Sequence, residues 1–343
     1  MICRPCLFFN GCSRTTARVF KRKGLCMDLQ YLLLLQQLRN SAGAWLTSLM
    51  ILISGFAAQG SALLCIAVFW GFDRDFGYWL ITNCISSTFF NNVLKLTACV
   101  YRPWIRCPEL TPPAAALESA TGYSFPSAHT QLASAFWGSV AIKKGKDNKK
   151  ITALCIAMIL LAAFSRNFLG IHTPQDVLAA MAASALILYI NIRLFDRLTG
   201  DRSFLYKAIA VGIAVVIACI IYIAVKPYPM DYIDGALVVD PEMMKEDGYA
   251  IAGGALGFLT GTFLEVRYIR FTTEGTLTKR IIRLIMGIPA ALLIMLVFRN
   301  AVYSLIGKAA GHVVVYAVLA FYIIAVYPAV FTAVEKRLRK QNP

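Results

Sequence analysis

Three short segments of the chain gather residue types able to move a phosphoryl group. In order, they are Lys95 with Arg102 and Pro103, then Phe125-Pro126-Ser127-Ala128-His129, then Ser165-Arg166 followed by His172 and Asp176. Lys95, Arg102 and Arg166 are cations with too few neighbouring carboxylates to pair them. Together they suit a multiply charged oxyanion, and the planar guanidinium fork fits phosphate best. Ser127 adds a hydroxyl. The backbone N–H groups of Ala128 and His129 lie at a predicted helix start, where the helix dipole favours an anion. His172 and Asp176 are four residues apart. On a helical turn the carboxylate would take one imidazole N–H and turn the other nitrogen outward, which makes His172 a candidate nucleophile. His129 is left to protonate a leaving oxygen as general acid. The reaction these residues imply is phosphoryl transfer through a phosphohistidine, followed by hydrolysis.

The elements that must position them are set by composition. Of the 343 residues, 58% are hydrophobic and 15% charged, and the mean hydropathy is +0.64. A soluble domain could not hide that much apolar surface, and a disordered chain would have the opposite balance. The apolar runs are continuous rather than alternating, which excludes a β-barrel. The expected fold is an all-α polytopic transmembrane bundle of about nine spans, with a six-helix catalytic core and three extra C-terminal helices. Runs long enough to cross about 30 Å of hydrocarbon lie near 56–72, 77–100, 129–142, 151–164, 177–194, 208–225, 249–266, 284–300 and 311–333. The third and fourth are short and should extend into their flanks. All three motif segments then emerge on one face of the membrane.

The loops assign that face. Lys143, Lys144, Lys146, Lys149 and Lys150 share one side with Arg193, Arg197, Arg202 and Lys207, with Arg267, Arg270, Lys279, Arg280 and Arg283, and with Lys336, Arg337, Arg339 and Lys340. The opposite loops are poor in basic residues, and one of them, 226–248, is rich in acids. The positive-inside rule puts the basic side and the C-terminus in the cytoplasm and the motif segments outside. The net charge of +16 is thus explained by membrane topology, and no nucleic-acid partner is expected. Residues 1–26 are basic and do not fit that topology; they read as a doubtful or disordered extension, or as an inside N-terminus if 28–54 spans. Gln36, Gln37, Arg39 and Asn40 interrupt the apolar run there, so 27–55 reads as an amphipathic interfacial helix. The remaining divisions are a catalytic membrane domain, 56–225, and C-terminal membrane helices of open role, 226–343.

In their order and spacing, Lys-x6-Arg-Pro, Pro-Ser-x-His and Ser-Arg-x5-His-x3-Asp resemble the three-part signature of the type-2 phosphatidic acid phosphatase superfamily, which shares its fold with the vanadium haloperoxidases. The resemblance covers about residues 56–194. It implies a helical bundle with its site at the outer membrane face and no metal or other cofactor. It implies phosphate held by Lys95, Arg102, Ser127, Ala128 and Arg166, attack by His172, orientation by Asp176 and acid catalysis by His129. Ala128 departs from the glycine usual in the motif but still supplies a backbone N–H.

The expected protein is an integral-membrane phosphatase, in the plasma membrane, of a lipid phosphate or pyrophosphate: phosphatidate, polyprenyl diphosphate, phosphatidylglycerol phosphate or a sphingoid-base phosphate. A soluble sugar phosphate, phosphoryl transfer to another acceptor, and a silent lipid-binding or transport protein are the alternatives. Other features carry less. The cysteines are scattered through apolar spans or the N-terminal tail (Cys3, Cys6, Cys12, Cys26), with Cys107 alone on the outer side, and form no disulfide framework. His312 reads as structural, Asn91 and Asn92 as polar packing contacts, and Arg106 and Lys226 as headgroup-facing cations. Tyr101, Trp104 and Tyr123 suit either substrate access or an interfacial aromatic belt. Gly253, Gly254, Gly257 and Gly261 permit close helix packing, within the monomer or between copies.

Overall fold

The computed structural model describes residues 27–56 and 60–341, so the reading of residues 1–26 lies outside the described residues. The fold is all-α with one small hairpin. In order come α1 (Met27–Ala42), α2 (Ala44–Gly55), α3 (Ser61–Ala67) with a π-helical turn at Val68–Phe72, α4 (Arg74–Ala98), the short α5 (Pro103–Arg106) and α6 (Ala114–Leu117), α7 (Ala128–Lys144), α8 (Lys149–Phe168), α9 (Pro174–Gly200) and α10 (Arg202–Val225). Strands β1 (Tyr232–Ile233) and β2 (Ala236–Leu237) pair antiparallel. Then follow α11 (Pro241–Leu264), α12 (Leu277–Leu293), α13 (Arg299–Ile306), α14 (Lys308–Phe321) and α15 (Tyr327–Gln341).

Among the described residues six helical segments are long and apolar enough to cross a membrane, beginning at Lys149, Pro174, Arg202, Pro241, Leu277 and Lys308. The chain is an integral membrane protein. α4 falls short of that hydropathy and α7, with 17 residues, of that length; both bury polar residues, Asn83, Ser87, Asn91, Asn92 and Lys95 on one, Thr130, Gln131, Ser134 and Ser139 on the other. α7 and α8 do run beyond the apolar stretches 129–142 and 151–164.

The N-terminal part differs from the expectation of one interfacial helix over 27–55. Gly43, at φ 85 and ψ 173, holds a backbone that L side chains avoid and divides it into α1 and α2. On α1, Met27, Tyr31, Leu34 and Leu38 are exposed while Leu29, Leu32, Leu35 and Arg39 are buried. Such a helix suits the membrane interface, one face on protein and one on lipid. α2 is a short apolar helix that lies before residue 56, and Ser61–Phe72 is a second one.

The C-terminal helices pack by close backbone approach. A Cβ on Gly253 would lie 2.3 Å from the Val313 carbonyl oxygen, and one on Gly257 would lie 2.0 Å from that of Ala317. Gly253 and Gly257 therefore serve contact with α14 inside the monomer, whereas a Cβ on Gly254 would meet nothing within 4 Å. At the far end from the motif segments, Arg74 donates to both oxygens of the fully buried Glu265 at 3.0 and 2.7 Å, and Arg283 pairs with Glu335 at 2.9 Å through two nitrogens. An aromatic cluster including Phe69, Trp70, Phe136, Phe258, Phe271 and Tyr327 fills the space between. Cys65, Cys84, Cys99, Cys107, Cys155 and Cys219 are free thiols.

Candidate active site

The three motif segments meet at one end of the bundle. Lys95 comes from the last turn of α4, which stops at Cys99 in a left-handed conformation (φ 48). That turn sends the chain to Arg102, the residue capping α5. Ser127 caps α7, its hydroxyl accepting from Thr130 N at 3.5 Å, so Ala128 and His129 form the first turn. Arg166 lies in the last turn of α8. A capping box opens α9: Asp176 N donates to Thr173 Oγ1 at 3.3 Å, and Thr173 N donates to Asp176 Oδ2 at 2.8 Å. The cap that starts the helix therefore also fixes the Asp176 carboxylate.

His172 is buried between Asp176 and Arg102. Its Nδ1 is 3.4 Å from Asp176 Oδ2, and Arg102 Nη1 donates to its Nε2 at 2.9 Å. Accepting from a guanidinium requires a lone pair on Nε2, so the ring proton sits on Nδ1, facing the carboxylate. Burial first, then the positive charges of Arg102, Arg166 and Lys95 and the nearby His129, push the His172 imidazole well below its ordinary value. It is neutral near pH 7, with its free electron pair turned toward the cations. Burial also pulls Arg102 down to about 10, against the opposing effect of Asp176.

The cations are held in different ways. Arg102 donates to the carbonyls of Thr121 (2.8 Å), Gly122 (3.1 Å) and Ile171 (3.1 Å), and Lys95 Nζ donates to Tyr123 O at 3.0 Å. Arg166 Nη1 donates to Ser54 Oγ at 2.5 Å and Ser119 Oγ at 3.4 Å. Its Nε and Nη2 are buried with no partner among the described residues. Two adjacent unsatisfied donors on a buried guanidinium leave desolvation uncompensated unless an acceptor arrives, and that pair of N–H groups forms a fork for one edge of an oxyanion. His129 is partly exposed, and no hydrogen bond to its ring is seen among the described residues.

Several contributors were not anticipated from the sequence. Ser124 donates to Asp176 Oδ2 at 2.6 Å and lies 3.4 Å from His172 Nδ1. Asn167 Nδ2 donates to the His172 carbonyl at 2.9 Å. Ser54 and Ser119 hold Arg166. Nothing in the sequence marks these serines, since each reaches its partner across tens of residues. Asn91 does act as a packing contact, donating to Gln131 Oε1 at 2.7 Å. Tyr123 is buried, and Arg102 lies over the Trp104 ring at 5.7 Å. Arg106 pairs with Asp28 at 3.2 Å and Lys226 donates to Cys99 Sγ at 3.2 Å.

The PAP2 superfamily model matches residues 76–200, and that of the PAP2 superfamily phosphatase transmembrane extension matches 249–340. The chain belongs to the PAP2 superfamily, the type-2 phosphatidic acid phosphatases. Among curated proteins it is similar to undecaprenyl-diphosphatase BcrC of Bacillus subtilis (strain 168), at 29% identity over 157 residues, which cover 45% of this chain and 77% of that protein. No solved structure matches.

Proposed function

We propose that this PAP2 phosphatase hydrolyses a lipid phosphate or diphosphate at the extracytoplasmic face of the plasma membrane, through a phosphohistidine on His172 and without a metal. The observation that carries the reading is the chain Arg102–His172–Asp176/Ser124 beside the two unpartnered donors of Arg166. An incoming phosphate takes up those donors and draws Arg102 away from Nε2, which frees the lone pair for attack. The Nε2–P bond forms as the bond from phosphorus to the leaving oxygen breaks, and that oxygen takes a proton from His129. Asp176 stabilises the positive ring. Water then attacks phosphorus, gives its proton to His129, and releases inorganic phosphate and neutral His172. Lys95, Arg102 and Arg166 neutralise the developing charge. Among the described residues no three His, Cys, Asp or Glu side chains gather into a cation site. A site at a helix-bundle end lets an apolar tail stay in the bilayer. Of the lipid classes, the resemblance to a protein named as an undecaprenyl-diphosphatase favours a polyprenyl diphosphate.

The test is trapping of labelled phosphate on protein in detergent and chelator by quenching into alkaline SDS, which preserves the acid-labile phosphorus–nitrogen bond, with polyprenyl diphosphate, phosphatidate and a sugar phosphate as substrates. Wild type should trap label and His172→Ala should not. His129→Ala should slow alkyl esters by about 10²–10⁴-fold and aryl phosphate much less, since that leaving group departs unprotonated. Label retained on His172→Ala would overturn the nucleophile, and equal losses on both ester types would overturn the acid.

A further inference from the structure

Lys95, Arg102 and the carboxylate beside His172 are all anchored on four consecutive residues, 121–124. Thr121 and Gly122 supply carbonyls to Arg102, Tyr123 supplies one to Lys95, and the Ser124 hydroxyl reaches Asp176. The back of this loop is formed by chain well outside the motif region. Gly122 has φ +62, and a Cβ placed there would lie 1.6 Å from Met244 Sδ. The Tyr123 side chain is buried in a cluster with Leu96, Ile223, Val239, Met244 and Tyr249. The hairpin before α11 is tied to the same region, because Tyr101 OH donates to Asp231 Oδ2 at 2.7 Å. Met244 is itself buried, while its neighbour Met243 is exposed.

We propose that the hairpin joining α10 to α11, together with the first turn of α11 that carries Met244, is a backstop that holds the 121–124 carbonyls in place, and that Met244 is therefore a positioning residue for phosphoryl transfer. The inference rests on the phosphatase reading above. It gives the C-terminal part of the chain a role in the reaction. Gly122 has no side chain of its own, and the three heavy atoms nearest to its Cβ position all belong to Met244. Truncating it leaves a void that the permissive glycine backbone can relax into. The carbonyls that aim Lys95 and Arg102 then lose their register. Misplacing such groups by about 1 Å costs on the order of 10²-fold in rate, whereas tail binding in the bilayer is untouched.

The test uses the full chain in detergent, with polyprenyl diphosphate as substrate and orthovanadate as transition-state probe. Met244→Ala should lower kcat by about ten- to a hundredfold with KM within about twofold, and should weaken vanadate inhibition by a similar factor. Met244→Leu, close in volume, should restore both, and Met243→Ala should behave as wild type. Tyr101→Phe, which removes only the hydroxyl held by Asp231, should show the same sign with a smaller loss. If Met244→Ala fails to fold, wild-type kcat in Tyr101→Phe overturns the proposal. So does wild-type kcat in folded Met244→Ala, or a loss unaccompanied by weaker vanadate inhibition. A wild-type enzyme inert on every ester would refute the phosphatase reading instead.

Discussion

Replacing Arg166 with lysine keeps a positive charge at the end of α8 but removes the guanidinium fork. Its Nη1 is engaged by Ser54 and Ser119, while Nε and Nη2 have no partner among the described residues. A hydrogen bond to a charged group contributes about 1.5–3 kcal/mol. Lysine offers a compact, strongly hydrated ammonium in place of two parallel donors. Losing one of the two bonds should weaken orthovanadate binding by about 10- to 150-fold. Thermal unfolding in detergent reads this without turnover. At 100 times its dissociation constant, a ligand stabilises the native state by about 2.7 kcal/mol; after a 100-fold weakening the same concentration adds only about 0.4 kcal/mol. Wild type should therefore show a clear vanadate-dependent rise in Tm, and Arg166→Lys almost none. Without vanadate the two should unfold at similar temperatures, because lysine loses the Ser54 bond but also removes two unsatisfied buried donors, opposing effects of similar size. Equal vanadate shifts in both proteins would refute the fork.

Ser124→Ala removes the 2.6 Å donor to Asp176 and should lower kcat about tenfold while Ser124→Thr retains most activity; wild-type kcat in the alanine variant would remove Ser124 from the site. The nucleophile must be neutral and the folded protein holds His172 well below its ordinary value. Hence the acid limb of kcat/KM, corrected for substrate ionisation, should fall below the free-histidine value of about 6.5, with activity lost only as pH drops through that lower value; a limb at or above 6.5 would contradict the site electrostatics. A cysteine introduced within 226–248, in a background lacking Cys107, should react with an impermeant thiol reagent in intact cells, and one within 143–150 should not. The reverse pattern would invert the topology.

The bundle and the motif residues were legible because each rests on a strong signal. Spans need long apolar runs, and Lys95, Arg102, Arg166, His129 and His172 stand out as polar residues where polar residues are expensive. The N-terminal break was not legible, because it depends on the conformation of Gly43 and not on any change in hydropathy. The purpose of Gln36 and Arg39 was hidden as well. They look like an interruption in an apolar run, yet Arg39 donates to the Phe168 carbonyl at 2.9 Å and that of Thr111 at 2.6 Å. Gln36 accepts from Thr111 N at 2.7 Å. Those partners are distant in sequence, and serine, glutamine and threonine are common enough that composition gives no hint of the pairing.

The polar residues buried on α4 and α7 also serve the site. Beneath it, Gln131 receives the Asn91 amide and donates to the Ser87 carbonyl at 2.8 Å. Ser184 on α9 donates to the Gln131 carbonyl at 2.6 Å and lies 2.9 Å from Ser87 Oγ. In a bilayer no water replaces a lost hydrogen bond, so such a chain is favourable only when every member is paired in one arrangement. It fixes α4, α7 and α9 at one relative register, and those helices deliver Lys95, His129 and Asp176. The unpartnered donors of Arg166 oppose folding, and the mutual repulsion of three buried cations adds to that. Both are tolerable only where the surroundings leave the side chains no alternative position. The polar layer below, the α1 clasp on one flank and Met244 on the other supply that constraint. Apolar helices would insert more readily, but they would leave the cations free to separate.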